Sequence, residues 1–143
     1  MNSVKRDHPH VPELMGGLLL RVRAAFGDED WDGLRQSHFR LLTSVPDQGI
    51  AITELAERLS MTKQGCGQFV AALADSGYLH VDIDTADRRV RVVRRTAAGT
   101  RMVQRVDARV GALEEQWAAE VGPRRYATFR RVLAEIAYPD DRE

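Results

Sequence analysis

Between Thr53 and Val92 the spacing of apolar residues changes from a helical period to a strand period, and this ordered change limits the fold more than any other feature. Leu55, Ala56 and Leu59 share one face of a short helix, and Cys66, Phe69, Val70 and Leu73 share one face of the next. Ser60-Met61 between them is too short for anything but a turn. Thr53 is expected to cap the first helix, and Thr62 or Ser60 the second, each hydroxyl accepting an orphan backbone N–H. Gly77 ends the second helix, where a left-handed backbone costs a glycine least. Leu79, Val81 and Ile83 then alternate with polar residues, as do Val90 and Val92 beyond Asp84-Thr85-Ala86-Asp87, which predicts a β-hairpin.

The flanks read as longer helices. Apolar positions 14, 18, 22 and 26 recur every four residues from Leu14 to Gly27. Leu34, His38, Leu41, Leu42 and Val45 mark a second helix, stopped at Pro46 because proline disfavours helical geometry in the residue before it. Thr96 is expected to cap a long helix with Met102, Val106, Val110, Leu113 and Trp117 on one stripe. Gly122-Pro123 breaks it and opens a last helix bearing Tyr126, Phe129, Leu133 and Ile136. Residues 1–12 carry two prolines and no apolar period, so they read as a flexible arm. The expected fold class is mostly α with a small β-hairpin wing.

Charge sharpens this order of elements into a function. The 143 residues hold 21 basic and 21 acidic side chains, a balance that by itself announces no nucleic-acid partner. Yet residues 88–105 contain seven arginines and no acid, while Asp28, Glu29, Asp30 and Asp32 crowd together. Helix, tight turn, helix, hairpin is the order of a winged helix-turn-helix, whose second helix enters the major groove. Arg88 and Arg89 then fall at the hairpin tip, with Arg91 expected along the same strand face as Arg89. Planar, permanently charged guanidinium groups suit phosphates and narrow grooves. The single cysteine excludes an internal disulfide framework and fits a reducing cytosol. The apolar stretch Leu14 to Leu20 is too short to span a bilayer, and the polar first ten residues carry no secretion signal, so the expected location is cytoplasmic with no membrane partner.

The stretch from Ile52 to Gln64, Ile-Thr-Glu-Leu-Ala-Glu-Arg-Leu-Ser-Met-Thr-Lys-Gln, resembles the helix-turn-helix of the MarR family of bacterial transcription regulators. Gly77-Tyr78-Leu79, Asp84 to Arg89, and Val93 to Gly99 are similar to that family's helix end, wing and entry to its dimerisation helix. The resemblance implies a winged helix-turn-helix DNA-binding domain over 34–96 and a helical dimerisation region over 13–33 and 97–138. It implies a homodimer, built from the N- and C-terminal helices, that binds double-stranded DNA at a near-palindromic operator and controls transcription, with repression the expected sign. It also implies that a small aromatic ligand binding between the lobes releases the DNA. Gly65, Gly67 and Gln68 depart from the basic or hydroxyl-bearing residues that the family often carries midway along its recognition helix.

Each candidate residue has a plainer reading beside it. Thr62, Lys63 and Gln64 open the recognition helix, where side chains meet base edges or phosphates, or simply cap and solvate it. Gln68, one turn beyond Gln64, is suited to adenine. Gly67 marks either close approach of the backbone to DNA or a tolerated weakness. Asp87 is spaced to brace Arg89 at the wing tip, as in the family, or to form an ordinary surface pair. Trp31 and His38 are the candidates for a ligand pocket, against packing roles for both. Leu14, Leu18, Val106, Leu113, Phe129 and Ile136 are expected as exposed apolar stripes that a second copy covers. No nucleophile elbow, phosphate-cradling glycine loop or spaced metal-ligand set is present, so no enzyme, metal or cofactor is expected. Two other functions stay open: a winged-helix protein-interaction module without DNA binding, and a thiol-based redox sensor acting through Cys66.

Overall fold

The computed structural model describes residues 8–27 and 29–141. In chain order the elements are α1 (Val11–Phe26), α2 (Gln36–Thr43), β1 (Ile50–Ala51), α3 (Ile52–Arg58), α4 (Lys63–Asp75), β2 (Leu79–Ile83), β3 (Arg91–Arg95), α5 (Ala97–Val121) and α6 (Pro123–Ala137). A single 3-10 turn, Pro139–Asp141, follows. The chain divides into two compact units. One spans Glu29–Asp107, and the other takes the described residues before it together with those from Ala108 onward. Among the described residues no helix is long and apolar enough to cross a membrane.

In the unit Glu29–Asp107, α3 and α4 pack on each other and on a three-stranded antiparallel sheet of order β1-β3-β2. Leu42, Leu55, Cys66, Leu73 and Val93 are wholly buried there. Burying an aliphatic side chain of this size contributes about 1.5–3 kcal/mol, so this cluster outweighs any surface ion pair in the unit. Thr62 caps α4: its Oγ1 accepts the Gly65 N–H at 3.0 Å. Past α4 the backbone turns through Gly77 at φ 85°, a conformation open to glycine and strained for most other residues.

Thr96 joins three elements. Its Oγ1 accepts the Gly99 N–H at 3.0 Å and donates to the Gly77 carbonyl at 2.6 Å. Its backbone N–H donates to the Tyr78 carbonyl at 3.2 Å. The first turn of α5 is thereby held against the junction of α4 and β2. The approach is so close that a Cβ on Gly99 would overlap the Tyr78 carbonyl oxygen.

The other unit contains α1, the later part of α5 and α6. Arg21 grips Glu120 through its two terminal guanidinium nitrogens, at 3.0 and 2.6 Å, and lies 5.5 Å from the centre of the Trp117 ring. The Tyr126 hydroxyl donates to Glu114 Oε1 at 2.7 Å. Burial, and then that carboxylate, push the Tyr126 phenol up to about 12. Large apolar side chains remain uncovered on the outer helices: Leu14 is 54% exposed, Phe129 43% and Ile136 71%.

Several expectations need correction. Strand β1 was not foreseen; two residues carry no period, and only pairing of Ile50 and Ala51 with Val93 and Val92 makes them a strand. Because β1 runs straight into α3, Ala51 is the N-cap and Thr53 lies inside the helix without capping it. Helix α1 begins at Val11, so Val11 and Pro12 belong to a helix and not to an arm; proline is tolerated in a first turn. Helix α2 is shorter than Leu34–Val45, because extended Arg35 precedes it and the Ser44 hydroxyl bonds back to the Arg40 carbonyl at 2.7 Å. Val106 and Leu113 are buried, and Leu18 is half-buried, so only Leu14, Phe129 and Ile136 of the expected outer stripes stand exposed.

Gly99→Ala tests the junction at α5. The added methyl must displace backbone and break the Thr96–Tyr78 bond, so urea unfolding should show a loss of about 1–3 kcal/mol. A variant as stable as the parent would mean that α5 has room to withdraw.

Candidate nucleic-acid interface

The first turn of α4 presents polar side chains to solvent. Thr62, Lys63, Gln64 and Gln68 are all exposed, while Cys66 and Val70 on the opposite face are buried. The Thr62 hydroxyl oxygen is engaged as the cap, which leaves its hydrogen to donate outward. The N–H groups of Lys63 and Gln64 have no earlier helical turn to bond, and they add partial positive charge where α4 begins. Gly65 and Gly67 are both helical, but they differ in surroundings. A Cβ on Gly67 would meet nothing within 4 Å, whereas one on Gly65 would stand 2.9 Å from Thr62 Oγ1, the capping atom.

The wing loop runs from Asp84 to Val90 between β2 and β3. Asp84 Oδ1 accepts the Ala86 N–H at 2.8 Å, and the Asp84 N–H donates to the Val90 carbonyl at 2.9 Å, closing the loop. At its tip Asp87 Oδ1 accepts both the backbone N–H of Arg89 at 3.1 Å and its Nε at 3.2 Å. The Arg89 side chain is 91% exposed, so Asp87 orients the guanidinium without burying it, and its outer nitrogens face solvent. Arg88 and Arg91 are exposed beside it. Arg89 lies before the first residue of β3, so the expectation that it shares a strand face with Arg91 does not hold; a turn residue obeys no strand period. Arg91 instead faces the same side as Val93, opposite Ile83 in the ladder.

Three of the seven arginines serve the fold. Arg94 Nη1 donates to the Gln48 carbonyl, and Arg95, only 12% exposed, donates to Asp47 Oδ1. Arg105 donates to the Asp30 carbonyl at 2.7 Å and to Glu29 Oε2 at 3.3 Å, with its guanidinium 4.0 Å over the Trp31 ring. The acidic stretch after residue 28 is thus in part the counter-charge of Arg105. The Tyr78 hydroxyl adds a bond to Asp32 Oδ2 at 2.6 Å, and this bond, with burial, pushes the phenol up to about 12. Sequence reasoning missed these pairings because each joins residues at least 46 apart; matched runs of opposite charge were the one available signal.

Trp31 and His38 both lie in the unit Glu29–Asp107. Trp31 is buried, edge-on to Phe39 with ring centroids 5.3 Å apart. His38 is edge-on to Phe69 at 5.3 Å, and its Nδ1 accepts the Arg35 N–H at 3.0 Å, capping α2. Cys66 is wholly buried, and burial pushes its thiol up, away from the reactive thiolate. Among the described residues no three His, Cys, Asp or Glu side chains converge as metal ligands.

No protein-family model matches the sequence, and no curated protein matches it. Solved structures do match the fold. The reduced form of MarR from E. coli superposes with a TM-score of 0.77 at 16% identity, covering 92% of this chain and 98% of that one. FabT from Streptococcus pneumoniae, solved in complex with DNA, gives 0.75 at 12% identity over 89% and 90% of the two chains. The PcaV transcriptional regulator from Streptomyces coelicolor, in complex with its natural ligand, gives 0.73 at 19% identity over 94% of each chain. Mostly helical, with a short three-stranded sheet and a wing, this chain has the winged-helix fold of the MarR-type transcriptional regulators.

Proposed function

We propose that this chain is a sequence-specific DNA-binding regulator of transcription, a repressor that acts as a homodimer on a near-palindromic operator. The observation that carries the reading is the wing tip, where Asp87 presents an exposed Arg89 between Arg88 and Arg91 in the same compact unit as the open first turn of α4. A helix start rich in amides and N–H groups suits a major groove, and a braced guanidinium suits the narrower groove or the phosphates beside it. FabT, which shares the fold, is solved with DNA.

Uncovered apolar surface supports the homodimer. Leu14, Leu18, Val121 and Phe129 line an open cavity of about 580 Å³ among α1, α5 and α6. A second copy supplies the same apolar helices in return, which is the economy of a two-fold interface. Two recognition helices related by that axis call for a site with matching two-fold symmetry. Release by a small aromatic ligand completes the reading. PcaV is solved with its natural ligand; of the two candidate pocket residues, His38 is half-buried and edge-on to Phe69, while Trp31 is buried with Arg105 over its ring, which leaves His38 the more accessible to a ligand. A ligand acts there only through its differential affinity for the DNA-binding and non-binding states.

Titration of the duplex upstream of its own gene, against an unrelated duplex and at several salt concentrations, is the direct test. Preference for the upstream duplex supports the reading; equal, weak binding to both overturns it and favours a protein-interaction module. Within that assay Arg89→Ala should weaken binding by about 1–3 kcal/mol, and Arg101→Ala, on the exposed side of α5, by much less. Equal losses would mean a diffuse electrostatic effect without a special wing. Gly67→Ala should raise the melting temperature, gaining up to about 1 kcal/mol in a helical position with open space. The same methyl should cost DNA affinity if the backbone at 67 lies against the duplex; unchanged affinity would assign Gly67 no contact. Sedimentation at micromolar concentration should return twice the chain mass, and a clean monomer would remove the two-fold operator from the reading.

A further inference from the structure

The outward face of α4 is chemically narrow. From Lys63 to Ala72 it holds no arginine, no carboxylate, no asparagine and no hydroxyl. Its exposed side chains are Lys63, Gln64, Gln68, Ala71 and Ala72. Gln64, Gln68 and Ala71 follow one another at helical spacings of four and three, so they share a stripe. Among the described residues neither amide has a hydrogen-bond partner, so each keeps its capacity to donate and to accept.

Major-groove chemistry sorts these groups by base. Guanine offers two acceptors and is read by arginine or lysine; cytosine offers a donor and is read by a carboxylate. Adenine offers one donor and one acceptor side by side, which a carboxamide matches in both roles, and thymine offers a methyl for apolar contact. Lys63 is the one side chain here suited to guanine. It stands at the first residue of α4, where side chains lean toward the helix start and so toward phosphates. Between the two amides the helix surface is recessed, since Gly67 has no side chain and nothing lies within 4 Å of where its Cβ would be. A recessed helix can settle closer to the groove floor, within reach of the short glutamine amides.

We propose that α4 selects A·T pairs, with Gln64 and Gln68 each hydrogen-bonded to an adenine and Ala71 against a thymine methyl. This rests on the DNA-binding reading above and adds the composition of the half-site to it. The guanidinium groups of the wing anchor the complex, and the amides decide which sequence it holds.

Selection from a pool of random duplexes, using the full-length protein, is the test. The parent should enrich two adenine positions in each half-site. Gln68→Ala should lose the preference at one of them and keep the rest. Replacing that adenine by 7-deazaadenine, which lacks the accepting N7, should weaken the parent by about tenfold and leave Gln68→Ala unaffected, in line with the worth of one bidentate contact. Gln68→Glu, which can accept but not donate, should shift the preference at the same position toward cytosine. Its melting temperature, like that of Gln68→Ala, should stay near the parent's because residue 68 is exposed. Enrichment of G·C under α4, or an equal 7-deazaadenine effect on parent and Gln68→Ala, would overturn the proposal while leaving DNA binding intact. No enriched sequence for the parent at all would overturn the DNA-binding reading and this proposal with it.

Discussion

Strand β3 is paired along both edges, and the residue at its middle, Val93, is wholly buried between Ile50 of β1 and Val81 of β2. A strand alternates its side chains, so one buried valine sets the direction of every neighbour. With Val93 inward, Arg91 and Arg95 share its face while Val92 and Arg94 take the other. A slip of one residue would exchange the two sets, turning Val93 outward and bringing Val92 or, in the other direction, Arg94 to the core position.

That register divides the arginines between fold and surface. Arg95 is carried inward, where a guanidinium without a counter-charge would be costly, and Asp47 reaches it from the surface. Arg91 lies on the same face but beyond the core, at the end of the sheet, and stays exposed. Arg89 precedes the strand altogether and takes its orientation from Asp87 in the turn. A run of like charges in the sequence thus becomes two populations, one neutralised inside the unit and one left facing outward at the wing.

The helix-turn-helix depends on the same sheet. Leu79 opens β2 directly after the Gly77 turn, and Thr96 ties that turn to the start of α5 through its hydroxyl and its N–H. Helix α4 is anchored at its far end by these bonds and at its near end by the Thr62 cap. What remains exposed between the anchors is a glycine-interrupted face whose two glutamine amides find no partner among the described residues. The unit of α1, later α5 and α6 is built differently. It buries Phe26 and Leu113, carries polar clasps at Arg21 with Glu120 and Tyr126 with Glu114, and leaves other apolar side chains uncovered.

Most of the fold was legible because it rests on local rules. The helical stripe of Cys66, Phe69, Val70 and Leu73, the caps at Thr62 and Thr96, the stop at Gly77 and the break at Gly122-Pro123 are all set by residues within a few positions of each other. The candidate interface was legible for the same reason: Asp87 and Arg89, or Gln64 and Gln68, are neighbours along the chain. Tertiary structure alone decided the rest. Ile50 and Ala51 became a strand only by meeting β3, and Val106 and Leu113 went inward although their stripe looked available for an interface. Arg94, Arg95 and Arg105 found Gln48, Asp47 and Glu29 across 46 to 76 residues of chain. Periodicity shows which face of an element is apolar. What that face meets, and which charge is spent within the fold, depends on contacts between residues that the sequence holds far apart.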